Sequence, residues 1–177
     1  MKNLLLALIT LFAVNSSHSQ WWSEGDDDIG ADGSSANYDV LQVLWADENY
    51  EKLLKMAERF TMKDATKNDP EPYLWLARSL YAMSKDENYT MQDKYKKAYN
   101  DALSWLSKYY KKAAKAEPHV LEPLIAYHQT FFIEIKRSLY EQIETEIMSD
   151  NYAKALGLVS KMPKVTPDNF AKDFLAG

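Results

Sequence analysis

The stretches Glu48-Asn49-Tyr50-Glu51-Lys52-Leu53 and Asp150-Asn151-Tyr152-Ala153-Lys154-Ala155 decide how this chain is read. Each sets an acid before Asn-Tyr and a lysine two residues after the tyrosine. The two asparagines stand 102 residues apart, or three steps of 34. A 34-residue period belongs to helix–turn–helix units that stack side by side, because one unit alone cannot bury its apolar face. A chain built this way presents a surface, and an enclosed catalytic pocket is not expected of it.

Outward from these stretches, apolar residues recur at three- and four-residue steps, the helical period. Val40, Leu41, Leu44 and Trp45 form a first stripe, and Leu53, Leu54, Ala57 and Phe60 a second. Asp69-Pro70-Glu71-Pro72 starts a helix carrying Tyr73, Leu76, Ala77 and Leu80, with proline in the first turn and acids at the positive end of the dipole. Tyr95, Ala98, Ala102, Trp105 and Leu106 come next. From Leu121 to Met148 one long helix of about seven turns is expected from its unbroken three- and four-residue steps. Ala155, Leu156, Val159 and Met162 close the series before Pro163 and Pro167. No segment alternates with period two for long enough to be a strand, so the fold class is all-α.

Paired, these stripes resemble the tetratricopeptide repeat, whose loose pattern is Trp-x2-Leu-Gly-x2-Tyr on a first helix and Ala-x3-Phe-x2-Ala with a closing Pro on a second. Tyr73, Leu76, Ala77 and Leu80 fit the first-helix spacing; Ala98, Ala102 and Trp105 fit the second. Leu53, Ala57 and Phe60 fit the second helix of the first unit. Tyr152, Ala155, Val159 and Met162, closed by Pro167, make the fullest match. The resemblance implies an α-solenoid of helix pairs over residues 37–177, about three units plus a terminal half unit. The chain departs from the pattern in an insertion of about nine residues, Lys85 to Asp93, and in its long helices. Thr166-Pro167-Asp168-Asn169 is expected to cap a further helix, either covering the last pair or opening another repeat.

Residues 1–19 read as a secretory signal peptide: Lys2, an apolar run from Leu4 to Val14, then Ser17 and Ser19 before a cleavage site at Gln20. The run falls short of the roughly 20 residues a membrane span requires. Residues 20–36 read as a mobile acidic arm in which Trp21-Trp22 precede clustered aspartates. Those two indoles suit a partner groove, a membrane interface or the end of the solenoid equally. Asp28, Asp32 and Gly33 only partly imitate a calcium loop, since Gly30 and Asp39 occupy ligand positions, so no metal is expected.

With 21 basic against 26 acidic residues, the chain lacks the basic footprint of a nucleic-acid binder. It has no cysteine, hence neither a disulfide framework nor a lipidated cysteine. His119 and His128, nine residues apart, would face opposite ways on one helix, and no nucleophile elbow, phosphate loop or dinucleotide fingerprint is present. No catalytic residue, cofactor or metal is assigned. His128, on an apolar stripe, reads as a core histidine. Lys108, Lys111, Lys112 and Lys115 line one helical face near a helix end, where they complement the dipole; an anionic partner or membrane headgroups are the other reading.

If the units stack as the resemblance implies, first-helix residues between packing positions line a groove: Tyr38, Gln42 and Trp45; Leu74, Arg78 and Tyr81; Glu122 and Gln129. Trp45 and Leu74 suit packing equally well. Such a lining would hold a peptide segment of another protein. The chain is therefore expected to be an exported, non-catalytic scaffold of a Gram-negative envelope, periplasmic or outer-membrane associated, in assembly or secretion; full secretion is the alternative location. It would have no membrane span of its own, though peripheral membrane contact is compatible with it. The alternative function is glycan binding through exposed aromatics among Trp45, Trp75, Tyr81 and Trp105.

Overall fold

The computed structural model describes residues 38–166; the expected leader, the acidic arm with Trp21-Trp22 and the half unit from Pro167 lie outside the described residues. Among the described residues the fold is all-α, with eight α-helices and no strand. They are α1 (Asp39–Ala46), α2 (Tyr50–Met62), α3 (Glu71–Met83), α4 (Glu87–Thr90), α5 (Ala98–Ala113), α6 (Pro118–Tyr127), α7 (Gln129–Met148) and α8 (Tyr152–Val159). The insertion between α3 and α5 folds as α4 and a 3-10 turn, Asp93–Tyr95. Among the described residues no helix is long and apolar enough to cross a membrane.

The duplicated stretches build the same corner twice. At the first, Asp47 N–H donates to Val43 O, Glu48 N–H to Trp45 O, and Asn49 N–H reaches back five residues to Leu44 O at 2.9 Å. At the second the same three bonds join Ser149 to Thr145, Asp150 to Ile147 and Asn151 to Glu146. The five-residue reach is a Schellman closure, which satisfies the last carbonyls of a helix and places the residue before the asparagine in the left-handed region. Glu48 accordingly has φ 54° and Asp150 φ 58°, the two non-glycine residues of positive φ among those described. The asparagines then open the next helix, and Asn49 Oδ1 accepts from Lys52 N–H at 3.3 Å.

A left-handed conformation costs an L-residue about 1–2 kcal/mol, a penalty glycine escapes. Glu48→Gly and Asp150→Gly are each expected to raise stability by about 0.5–1 kcal/mol, the rest being offset by glycine's freer unfolded chain. Urea unfolding checks this. Loss of stability in both variants would contradict the shared-corner reading.

Contacts fix how the helices run. Tyr38 at the start of α1 meets Phe60 near the end of α2, ring centroids 4.9 Å apart, so these two are antiparallel. Tyr73 meets Trp105 and Tyr81 meets Tyr99, so α3 and α5 are antiparallel too. Across pairs the sense is parallel. Tyr38 Oη donates to Asp69 at 2.6 Å just before α3, while Trp45 meets Trp75 further along. From α3 to α7 and the residue before it, Arg78 reaches His128, Tyr81 reaches Phe131 and Lys85 reaches Ser138. Thus α1, α3 and α7 share one direction. Beyond α8 the chain returns to α5, where Lys161 Nζ donates to Asn100 and Tyr110 Oη to Val165 O.

Because helices crowd α3 from several sides, ten of its thirteen residues are buried. Thr66 Oγ1 donates to Phe60 O and Tyr73 Oη to Lys67 O, closing the turn that feeds α3. Side chains from α3, α5 and α7, including Leu74, Ala102, Leu106, Tyr109, Ile135 and Leu139, form the core.

The single helix expected from Leu121 to Met148 is divided. It begins at Pro118 and breaks at His128, where φ −100° and ψ 11° leave the helical region. Pro123 removes one N–H from the preceding turn, and its ring crowds the carbonyl behind it. The ladder is still bridged, His128 N–H to Leu124 O and Phe132 N–H to His128 O. At the break the imidazole meets α3, with Nδ1 3.1 Å from Arg78 Nη1 and the ring 4.6 Å from that of Trp75.

Candidate interaction site around Arg78

Arg78 sits two-thirds of the way along α3, the one half-exposed position in the run from Pro72 to Tyr81. Its guanidinium carbon lies 4.0 Å from the ring centroid of Trp45, 5.3 Å from Trp75 and 5.6 Å from Tyr127. Three helices thus supply three rings around one cation. Stacking of a guanidinium on aromatic faces is favourable, the more so when water is partly excluded. Burial pulls Arg78 below its ordinary pKa, yet a guanidinium stays protonated. Among the described residues no carboxylate is ion-paired with it.

One polar partner is His128, with Nη1 3.1 Å from Nδ1; the Tyr127 side chain is another, and the Glu134 carboxylate adds its field. Arginine can only donate, so Nδ1 accepts and the imidazole carries its proton on Nε2. His128 is 1 % exposed, and burial first, then the Arg78 charge, push its pKa down to about 3. A protonated ring would have no lone pair for Arg78. The Nε2–H is buried without a hydrogen-bond partner. The ring stands perpendicular to Trp75 and Tyr127, at 4.6 and 4.9 Å. Trp75, fully buried, is held in turn by its indole N–H donating to Glu71 Oε1 at 3.1 Å. Burial raises the Glu71 carboxyl, while that bond lowers it.

The expected groove residues divide into two groups. Trp45 and Arg78 meet each other, and Gln42, Glu122 and Gln129 are exposed. Tyr38, Leu74 and Tyr81 are buried: Tyr38 is tied to Asp69, Leu74 is in the core, and Tyr81 donates to Glu134 O at 3.2 Å. Tyr127 and His128 were not among the expected lining. His128, expected in the core, is buried, and it faces Arg78 at the break in the long helix.

Of the four rings that bear on sugar stacking, Trp75 and Tyr81 are buried. Trp45 and Trp105 are half-buried, and each carries a cation on a face, Lys108 Nζ lying 3.6 Å from the Trp105 centroid. The lysine stripe is thus partly engaged, since Lys112 Nζ also donates to Asn68.

A second polar feature is an open cleft of about 250 Å3 lined by Lys85, Ser138, Glu141, Gln142, Thr145 and Glu146. Lys85 Nζ donates to Ser138 Oγ at 3.1 Å. Ser138 lies mid-helix on α7, where the neighbouring backbone N–H groups serve the helical ladder. His119, the other described histidine, is exposed beside Glu117. No cluster of three or more potential metal ligands occurs among the described residues. No protein-family model matches the chain, and it matches no curated protein and no solved structure.

Proposed function

We propose that this chain is a non-catalytic scaffold that holds a segment of another protein along α1, α3 and α7, arranged as a tetratricopeptide-like solenoid. The observation that carries this reading is the shared direction of those helices, with Trp45 and Tyr127 meeting around the Arg78 guanidinium. The repeated corner at Asn49 and Asn151 supports the repeat reading, as equal local geometry follows from equal local sequence. Helices that run parallel from unit to unit offer a continuous row of side chains, the arrangement an extended peptide can follow. Glycan binding has less support, because a sugar would have to displace the cations stacked on Trp45 and Trp105.

The leader-like residues 1–19 extend the proposal to an exported protein of a Gram-negative envelope, acting in assembly or secretion. Photo-crosslinking tests the whole reading in native cells. A benzophenone amino acid at Gln42 or Gln129 is expected to trap the same polypeptide, and one at Glu144 is not. Equal trapping at all three positions, or none, would refute the groove. Intact mass of the envelope-associated chain tests the leader separately, with a start at Gln20 expected.

A further inference from the structure

A half-buried guanidinium stacked on rings and without an ion-paired carboxylate is an incomplete ion pair. Arg78 has given up part of its hydration, its hydrogen-bond partners, the His128 imidazole and the Tyr127 side chain, are neutral, and Glu134 acts on it only through its field, without an ion pair. A carboxylate arriving from outside would find the cation already dehydrated and oriented, which lowers the cost of forming the pair. Trp45 on α1 and Tyr127 at the end of α6 flank the cation, and Tyr127 is 49 % exposed. Because α3 meets both α1 and α7, a segment laid along all three continues past Arg78 in both directions, so the acid belongs to a side chain and not to a chain terminus.

Resting on the scaffold reading, we infer that Arg78 anchors a glutamate or aspartate side chain inside an extended segment of the partner, with apolar neighbours laid on Trp45 and Tyr127. His128 is a positioning residue: it touches no ligand and holds the guanidinium plane against the rings. A lysine would restore the charge without the planar stack, and is expected to serve poorly.

Titration followed by 15N–1H spectra tests this with three probes: N-acetyl-leucyl-glutamyl-leucinamide, its glutaminyl counterpart, and N-acetyl-leucyl-leucine with a free terminus. The glutamyl peptide is expected to shift the Trp45 indole and Arg78 guanidinium signals saturably, about tenfold more tightly than the glutaminyl peptide. R78Q is expected to erase that difference while thermal unfolding shows it folded; R78K should retain only part of it. Equal binding of both capped peptides at these signals would overturn the acid subsite and leave the groove standing. Absence of any shift near Arg78 would overturn both. Tighter binding of the free-terminus peptide would overturn the side-chain assignment in favour of a terminal carboxylate.

Discussion

Trp75→Ala is expected to destabilise the protein by about 3–5 kcal/mol, the range for removing a large buried aromatic. The side chain is fully buried, and its ring lies within 6.0 Å of the rings of Trp45, Tyr127 and His128. It therefore joins α1, α3 and the α6–α7 break at one point. Its loss leaves a cavity and strips the half-buried Glu71 carboxylate of its indole donor. For a domain of this size the melting temperature should fall by roughly 10–20 °C. Trp75→Phe, which keeps most of the volume, should cost clearly less. A drop of under about 1 kcal/mol on alanine substitution would mean that the three helices do not converge there.

Acid should unfold this protein partly through His128. The folded state holds the imidazole neutral down to about pH 3, whereas a free histidine has the ordinary value of 6.5. Between these values the unfolded chain binds a proton that the folded chain refuses. The stabilisation is therefore present in full above about pH 6.5 and falls as the pH drops towards 3. Its upper bound is about 5 kcal/mol, reached only near pH 3. Glu71 works in the opposite sense, because an acid whose pKa burial raises gives up stability as the pH increases. His128→Gln isolates the histidine, since the other titrations cancel when the two proteins are compared. The difference in unfolding free energy between wild type and His128→Gln should narrow or reverse from pH 7 to pH 4. A constant difference would show that the ring is not shielded from protonation.

The helical fold was legible because the apolar stripes keep three- and four-residue steps, and two stretches related by 102 residues close their helices with the same hydrogen bonds. The site was legible only in part. Trp45 and Arg78, 33 residues apart, both fall in the lining expected from a period of 34, and they meet from parallel helices. Leu74 and Tyr81 had the spacing of lining residues but are buried, because α3 is packed on nearly every side. Periodicity reports that a residue faces something, without separating a groove from a neighbouring helix. The contact between His128 and Trp75 could not be read at all. It spans 53 residues and depends on a local break after Tyr127, where the surrounding apolar pattern runs on without interruption. The left-handed residues were hidden for a different reason: glutamate and aspartate stand where glycine would have announced the turn.

The parallel run of α1, α3 and α7 is the claim on which the groove and its acid anchor depend. Nuclear Overhauser contacts between assigned aromatic side chains test it most directly. Cross-peaks are expected for Trp45 with Trp75, Trp75 with His128 and Tyr81 with Phe131, whose centroids lie 6.0, 4.6 and 5.8 Å apart. Cross-peaks pairing Tyr81 with Tyr127, or Trp75 with Tyr140, would mean that α3 and α7 run in opposite senses, and the account would be wrong.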